Sequence, residues 1–590
     1  MKKRLVIVML ALALVATACG GDDDEGAGGQ AGSTTAPAEQ PVRGGTFVVG
    51  VTSLPDIALN PAVNTQGGMQ AVAGMLYNGL VEIDENAKPV PELATKWDIR
   101  DDGKVYEFTL AEGVKWHDGR PFTAADVKFS FEVLLRNHAR TQTSVGPALE
   151  QPCTTGTAPP DCPSITATEA AAGTPAKVTF RFKNPYAPLL RQLNHNEAPM
   201  IPKHLWDGKP APTTATPLPE GQNPVGTGAF KFVSKSPNEL VYERNPEYFR
   251  KDLPYFDRVV HRVTAAGRQD LETGAIDWLG TVPGVDLAAL RGNPNIKTDT
   301  GSLSAGGSGN CILSLVINQF KEGEAPAAIR GGTAAPHPML GDVNVRRAIA
   351  AALNRPTYIR DVQQDDGSRL ANGPFHSAIA FAASSAPLPA YDVREADRLL
   401  TAAGWARPDA SGTRVYTGPD ADQPGKPAAN EKFAIDYSGF ANTQTDLGNK
   451  IKQDLAAVGI ELTVNTVTPA QMSTLYSGRN YDTMAFSNCQ QTDPEVGARR
   501  LYHSTAITGA PFTNGAGYKN PAVDSAFDQA AQKVNDADRT PLYAQAAAQI
   551  AKDLPYLYLI ETVANRAYRS QCQGMKAYTG HFADTGFCKK

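Results

Sequence analysis

The sequence lacks an excess of positive charge. Its 590 residues include 56 Lys and Arg against 61 Asp and Glu, a formal net charge of -5 at pH 7, and the sequence pI is about 6.0. Proteins that bind nucleic acid usually carry a basic patch, because they neutralise phosphates. The charge balance therefore argues against nucleic acid as a partner. The length allows a large core divided over more than one lobe.

Signatures of catalysis and of metal binding are also missing. The sequence has no S-x-x-K and no G-x-S-x-G motif, and its glycine-rich stretch at residues 301–309 lacks the lysine of a phosphate-binding loop. The nine histidines are scattered without the spacing of a metal pair, and no two cysteines form C-x-x-C. We therefore expect no enzymatic activity, no cofactor and no metal site built from side chains.

An apolar run long enough to span a bilayer is absent from the N-terminus. The run at residues 5–15 is too short, and the three basic residues before it are typical of a secretory signal. Residues 16–19, Ala-Thr-Ala-Cys, resemble a lipobox, so we expect residues 1–19 to be a lipoprotein signal peptide and Cys19 to carry a lipid anchor. The alternative is an ordinary cleavage site with a chance cysteine. Residues 20–42 have no apolar periodicity and are predicted to be a disordered tether.

The most informative stretch covers residues 77–131. A turn at residues 101–104 separates two segments, and residues 105–110 alternate apolar and polar side chains as a half-buried strand does. Thr123 is a candidate N-cap before apolar residues at helical spacing. Further helices are predicted at residues 71–80, 342–355, 392–400 and 444–458, and further strands at residues 178–182, 311–318 and 460–464.

Short motifs in this stretch carry a family resemblance. In order they read YNGLVEID, PVPELATKWDI, DGKVYEFTL and GVKWHDGRPFTAADVKFSFE, and NPVGTGAF, YERNPEYF and DVNVRRAIAAALNR follow further along the chain. Their identity and order resemble the extracellular solute-binding proteins of the peptide/nickel type, which deliver ligands to ABC importers. The resemblance covers roughly residues 44–570.

This resemblance implies an α/β, two-lobed periplasmic-binding-protein-like fold (type II, cluster C) with an extra subdomain in the first lobe. Within a solute-binding domain of residues 43–590, lobe one would comprise about 43–63, 195–310 and 560–590, the extra subdomain about 64–194, and lobe two about 311–559. A peptide or similar-sized solute would bind between the lobes by hinge closure. The protein would be extracytoplasmic, lipid-anchored and monomeric, with an ABC permease and its ATPase subunits as partners.

Other functions remain open at this point. A surface sensor or adhesion protein can use the same fold, because fold does not fix use. A cell-surface hydrolase would need a nucleophile or metal site in the cleft, and the motif search finds neither. Nickel binding in this superfamily can go through a chelate, so scattered histidines do not exclude it.

Six of the seven cysteines remain when Cys19 is set aside, and an even number in a secreted chain indicates disulfides. Six cysteines allow 15 connectivities. The expected pairs are Cys153–Cys162 and Cys572–Cys588, each close in sequence, and Cys311–Cys489, which oligopeptide-binding members of the family bridge. A thiol or metal cluster is the alternative, and the absence of C-x-x-C spacing argues against it.

The resemblance also implies a ligand site. The expected ligand-contacting residues are Thr52, Ser53, Tyr437, Ser438, Phe486, Asn488, Gln490, Gln491 and Asp493.

One position of this site departs from the family pattern. Oligopeptide-binding relatives carry an Asp two residues beyond the cysteine, and its carboxylate pairs with the α-ammonium of the peptide. Alignment on Cys489 places Gln491 there, and alignment on Asp493-Pro494 places Gln490 there, a neutral amide in either case. Asp493 itself is expected to belong to a structural Asp-Pro turn. Because an unpaired buried ammonium is costly, we hypothesise a neutral or amine-blocked ligand, a saccharide or modified peptide, although free peptide is the family default.

Overall fold

A computed structural model provides the fold. It describes residues 40–55, 59, 61–62, 67–84, 86–137, 145–151, 153, 162–209, 223–301, 310–379, 381–382, 386, 388–409, 412–441, 443–508, 513–575, 581 and 583–589. The predicted signal peptide, Cys19 and most of the predicted tether lie outside these residues. Val42–Lys590 is a single unit. Among its described helices, none has the length and apolar character needed to cross a membrane.

Lobe one contains a mixed seven-stranded sheet. Its strands in spatial order are Ile296–Gly301, Ala564–Arg569, Trp278–Leu279, Thr46–Val51, Arg258–Val263, Glu239–Arg244 and Phe230–Lys235. The central strand Thr46–Val51 runs parallel to both of its neighbours, and the remaining pairs are antiparallel. The carboxyl end of a central parallel strand is a common place for ligand-binding residues in α/β proteins.

The extra subdomain is a four-stranded antiparallel sheet that shares a core with lobe one. Its strands in spatial order are Ala94–Arg100, Val105–Leu110, Lys177–Arg181 and Ile165–Thr168. Phe108 of this sheet and Phe47 of lobe one belong to the same continuous cluster of buried apolar side chains. The subdomain is therefore part of the first lobe.

Lobe two contains a six-stranded sheet with an apolar core on each face. Its strands in spatial order are Arg369–Leu370, Tyr556–Glu561, Cys311–Ile317, Thr483–Cys489, Ala434–Phe440 and Glu461–Val467. All seven residues of Cys311–Ile317, hereafter the crossing strand, are buried. Leu313, Leu315 and Ile317 enter one core, and Ile312 and Val316 enter the other. A continuous apolar run fits a strand covered on both faces.

The helices and the small sheets complete the described secondary structure. The α-helices are Gly67–Leu76, Ala124–Asn137, Leu189–Gln192, Lys203–Trp206, Gly267–Thr273, Gly284–Arg291, Pro326–Gly331, Val343–Ala352, Arg355–Asp361, Val393–Ala402, Thr443–Ala457, Pro469–Gly478, Pro494–Gly497, Arg499–Tyr502, Pro521–Ala531 and Asp536–Asp553, and Asp101–Gly103 and Ser504–Ala506 are 3-10 turns. Two-stranded sheets pair Val81–Ile83 with Pro89–Pro91, Trp405–Ala406 with Val415–Tyr416, and Cys572–Gln573 with Phe587–Cys588.

The predicted local structure of residues 77–131 is largely confirmed. Ala94–Arg100 and Val105–Leu110 form an antiparallel hairpin, and the hydroxyl of Thr123 accepts the backbone N–H of Asp126 at 3.3 Å before the helix. The helix predicted at residues 71–80 is wrong at its end, because it stops at Leu76.

Glu92 explains the early end of that helix. Its carboxylate accepts the Asn78 side-chain amide at 2.7 Å and the Gly79 backbone N–H at 2.9 Å. The carbonyl of Asn78 accepts the backbone N–H of Met200 at 3.0 Å. These contacts hold residues 77–80 outside the helical path.

Two segments connect the lobes. The chain enters lobe two between Gly301 and the crossing strand, and it returns between Glu561 and Ala564. The described cysteines form three disulfides, which are the predicted pairs: Cys153–Cys162, Cys311–Cys489 and Cys572–Cys588. The residue limits given above for the lobes stay predictions.

Candidate functional site

The returning segment lies beside the start of the crossing strand, next to the Cys311–Cys489 disulfide. The backbone N–H of Thr562 donates to the carbonyl of Cys311 at 3.0 Å. The disulfide joins the start of the crossing strand to the end of the neighbouring strand Thr483–Cys489, hereafter the site strand, and its Cα atoms are 3.9 Å apart. The end of the site strand is thereby fixed at the boundary between the lobes.

Asn310 fixes the turn that follows the site strand. Its carbonyl accepts the backbone N–H of Gln490 at 3.1 Å, and its side-chain amide donates to the carbonyl of Gln491 at 2.6 Å. Gln491 has a φ of 56°, the left-handed region that few residues other than glycine adopt. The chain therefore turns sharply at Gln491, whose role as a ligand contact stays a prediction.

One edge of the site strand is open over much of its length. The crossing strand pairs with all seven of its residues. The strand Ala434–Phe440 on the other side pairs only at Thr483 and Met484. Beyond Met484, none of the described strands pairs with this edge. A strand edge without a neighbouring strand can present backbone N–H and C=O groups to which an extended ligand can add.

Asn488 places an unsatisfied amide in this part of the strand. The residue is fully buried, and neither its side-chain oxygen nor its side-chain nitrogen has a hydrogen-bond partner. Buried amides in proteins are nearly always paired, so an exception calls for a functional explanation. Ser487, on the opposite face, is exposed. The role of Asn488 as a ligand contact stays a prediction.

Gln490 does not have the predicted role. Its side chain is fully buried. The amide oxygen accepts the backbone N–H of His376 at 2.9 Å, and the amide nitrogen donates to the carbonyl of Pro374 at 2.5 Å. Because both ends of the amide are hydrogen-bonded within lobe two, Gln490 anchors a loop of that lobe.

Asp493 is also structural. Its carboxylate accepts both terminal guanidinium nitrogens of Arg539 at 2.7 Å and caps the helix Pro494–Gly497 through the backbone N–H of Glu495. Burial alone would raise the pKa of Asp493, but the charge and hydrogen bonds of Arg539 hold it below its ordinary value. The prediction that Asp493 contacts the ligand is wrong, because Arg539 already neutralises it, and the expected structural turn is what the residue forms.

Tyr437 lies inside lobe two and not at its surface. Its side chain is fully buried in the core that includes Leu447 and Ile451, and its ring packs against Gly448. Its hydroxyl donates to the carbonyl of Gln444 at 2.5 Å. The prediction of Tyr437 as a ligand contact is therefore wrong, because its strand turns this side chain toward the helix Thr443–Ala457.

The remaining predicted contacts stay predictions. Ser438 is buried on the strand face opposite to Tyr437. Phe486 is almost wholly buried, with its ring centroid 6.1 Å from that of Tyr476. Thr52 and Ser53 are exposed directly after the central strand of lobe one.

The hydrogen-bond partners of the Gln490 and Asp493 side chains could not be predicted from the sequence. Arg539 lies 46 residues beyond Asp493, and Pro374 lies 116 residues before Gln490. No spacing rule joins residues so far apart. The one local signal was the Asp-Pro pair, which is typical of a helix start.

Two groups of described side chains have a spacing suitable for a metal ion. One contains Cys572 and Cys588, whose sulfurs form a disulfide. The other contains Glu322, Asp436 and Asp482. In it the carboxylates of Asp436 and Asp482 each accept the backbone N–H of the other at 2.6 and 2.8 Å. These carboxylates are used in the fold, and we assign no metal to them.

Two lobes, a strand edge without a neighbouring strand and a buried amide without a hydrogen-bond partner are features expected of a protein that binds a solute between its lobes. The family model described as bacterial extracellular solute-binding proteins, family 5 Middle, matches residues 88–509. The chain belongs to this family, whose members are extracytoplasmic substrate-binding proteins of ABC transporters and not enzymes.

Relatives and solved structures agree with this assignment. Protein XP55 of Streptomyces lividans is 28% identical over 541 residues, which are 90% of this chain and 87% of that protein. The oligopeptide-binding protein AppA of Bacillus subtilis is 25% identical over 589 residues, 97% of this chain and 95% of that protein. The structure of AppA with a nonapeptide superposes with a TM-score of 0.73 at 22% identity, covering 93% of this chain and 100% of that chain.

A second solved structure confirms the fold. NikZ from Campylobacter jejuni in complex with Ni(L-His) superposes with a TM-score of 0.71 at 21% identity, covering 90% of this chain and 96% of that chain. The predicted two-lobed α/β fold with an extra subdomain in the first lobe is confirmed by these similarities.

Proposed function

We propose that this protein captures a peptide-sized solute between its lobes, at the open edge of the site strand, and delivers it to an ABC permease with its ATPase subunits. The observation that carries the proposal is the combination of that edge with the buried, unpaired amide of Asn488 next to the lobe boundary. A ligand that added to the edge would supply hydrogen bonds to the backbone. Its polar groups would satisfy the Asn488 amide.

The ligand we propose is neutral or amine-blocked, such as a modified peptide or a saccharide. Relatives include the oligopeptide-binding AppA and the glutathione-binding protein GsiB of Pectobacterium atrosepticum, 25% identical over 540 residues. In this chain the amide of Gln490 anchors a loop, and the carboxylate of Asp493 is paired with Arg539. Neither residue therefore offers a free negative charge to a peptide ammonium.

Calorimetric titration tests the ligand class. A mixed library of tri- to pentapeptides and its N-acetylated counterpart would be titrated separately into the mature protein. We expect the acetylated library to bind at least as tightly as the free one, since no ammonium then needs a partner. Tight binding of free peptides that is lost on acetylation would contradict the proposed ligand class.

Asn488→Leu tests the site itself. Removing an unsatisfied buried amide at similar volume should keep or raise the free energy of unfolding, while it weakens binding of the acetylated library about tenfold. Asn245→Leu is the matched control. Asn245 is equally buried, but its amide donates to the carbonyl of Gly228 at 3.1 Å and accepts the backbone N–H of Glu247 at 3.1 Å. The control should lose stability and keep its affinity. Loss of stability with unchanged affinity in Asn488→Leu would show that Asn488 does not contact the ligand.

We further propose that the protein works as a monomer tethered to the outer face of the membrane. Support comes from the lipobox-like residues before Cys19 and from the polar segment at residues 20–42. Mass spectrometry of the N-terminal peptide from membranes tests the anchor: a diacylglyceryl group on Cys19 is expected. An unmodified peptide beginning elsewhere would contradict it.

A further inference from the structure

An ion pair joins the extra subdomain to lobe two. Arg191, on the helix Leu189–Gln192 of the extra subdomain, donates through both terminal nitrogens to Asp536 at 3.2 and 2.8 Å. The same guanidinium lies 3.6 Å from Asp493 and 5.0 Å from the centre of the Phe381 ring. Its side chain is only 13% exposed. This bidentate geometry between two carboxylate partners is more favourable than that of a typical surface pair.

Backbone and apolar contacts surround the ion pair. The backbone N–H of Ala187 donates to the carbonyl of Ala531 at 2.9 Å. Gly103 lies directly against the side chain of Val534, with 2.6 Å between a Cγ atom and the place where a Cβ of residue 103 would stand. Arg191 is thus the charged centre of a contact between the first lobe and lobe two.

The lobe-two side of the network stays paired without Arg191. Arg539 holds Asp493 with two hydrogen bonds of 2.7 Å and also lies 3.3 Å from Asp536. Asp536 is 38% exposed and can therefore be hydrated. Removing Arg191 leaves no buried carboxylate without a partner, so the contact can break without a large loss of stability.

We propose that Arg191 is the charged element of a latch that holds the first lobe against lobe two and shifts the equilibrium between open and closed forms toward the closed one. Lobe opening about the two connecting segments would have to separate Arg191 from Asp536 or displace their contact. The latch acts on the closure on which the proposed function rests. It is nevertheless present in the protein without ligand and can be tested there.

Small-angle X-ray scattering of the ligand-free mature protein provides the test. Arg191→Gln should increase the radius of gyration at low ionic strength, with an open-to-closed ratio about fivefold higher than in the wild type. Salt screens a partly exposed pair, so high salt should move the wild type toward the value of the variant. Arg191→Lys should fall between them, because lysine keeps the charge but loses the bidentate contact.

Arg268→Gln is the matched control. Arg268 pairs with Glu272 on its own helix at 3.1 Å, inside lobe one, so the same change of charge should leave the radius of gyration unaltered. Asp536→Asn should act like Arg191→Gln, and the double variant should add little to either. An unchanged radius of gyration for Arg191→Gln, or an equal increase for Arg268→Gln, would overturn the latch. If the radius of gyration does not fall when the acetylated library is added, the proposed function is contradicted and the latch is not.

Discussion

Two buried charge clusters of the molecule differ in where they lie. One is inside the first lobe, and the other crosses the boundary between the first lobe and lobe two. In the first lobe, His581 near the C-terminus lies 2.9 Å from Glu92, and Arg250 lies 4.0 Å from the same carboxylate. In the second cluster, Arg539 holds Asp493 within lobe two, and Arg191 approaches from the extra subdomain. The first cluster stays inside one lobe, whereas the second has one member on each side of the lobe boundary.

Inside the first lobe, burial and charge act on both partners of the ion pair. Burial would raise the pKa of Glu92, but His581 and Arg250 hold it well below its ordinary value. Burial would lower the pKa of His581, but Glu92 and Glu82 raise it above 6.5. Burial lowers the pKa of the neighbouring His195 to about 3, and the charge of His581 lowers it as well, against the opposing charge of Glu92. Two histidines whose ring centroids are 4.4 Å apart therefore differ in charge at neutral pH.

The effect of breaking a buried ion pair therefore depends on whether the pair lies within one lobe or crosses the boundary between the lobes. Glu92–His581 and Asp493–Arg539 have both partners almost wholly buried within one lobe, so breaking either should affect folding. Arg191–Asp536 crosses the boundary and is partly exposed, so breaking it should affect conformation. Four variants test this distinction.

Arg539→Met should have the largest effect. It leaves the fully buried Asp493 without its bidentate partner, and removal of one member of a buried pair costs about 4 kcal/mol. Urea unfolding of the variant and of Arg191→Met would be compared, with an expected loss below about 1 kcal/mol for the latter. Equal losses for the two arginines would contradict the comparison.

His581→Gln should change the pH dependence of stability. Because the pKa of His581 is raised in the folded protein, its contribution is fully present below about pH 6.5 and is lost as the pH rises through the raised value. The difference in unfolding free energy between the wild type and the variant should shrink by about 3 kcal/mol from about pH 6 to alkaline pH. A difference that stays constant with pH would show that the imidazolium contributes nothing.

Glu495→Gln should change the pH dependence of stability in a lower pH range. Burial raises the pKa of Glu495 to about 7, despite the opposing charge of Arg499. Its contribution to stability is present below its ordinary pKa of 4.5 and is lost as the pH rises through about 7. Above that pH the variant should be more stable than the wild type by about 3 kcal/mol, and near pH 4 the two should converge. Parallel stability curves would contradict this.

Local features of the sequence predicted much of the fold. The hairpin before Thr123, the capped helix after it and the buried crossing strand follow from alternation, turn residues and apolar runs, all of which act over a few residues. The arrangement of the lobes came from the family resemblance, since no local pattern encodes which distant segments share a core.

The candidate site was harder to predict because distant partners decide what a polar residue does. Gln490 and Asp493 have the composition of ligand contacts, but a loop 114 residues away and an arginine 46 residues away use their polar groups. The prediction that Tyr437 contacts the ligand was wrong for another reason. Both faces of its strand are covered, so alternation alone could not tell which face points toward a helix. Asn488 could be singled out only after its partners had been searched in three dimensions.

The proposed function depends on closure of the lobes on a bound solute. Small-angle X-ray scattering detects this closure through the radius of gyration. The solute that co-purifies with the mature protein would be identified by mass spectrometry, removed, and added back to saturation. We expect a smaller radius of gyration with the solute than without it. An unchanged radius of gyration at saturation would contradict lobe closure.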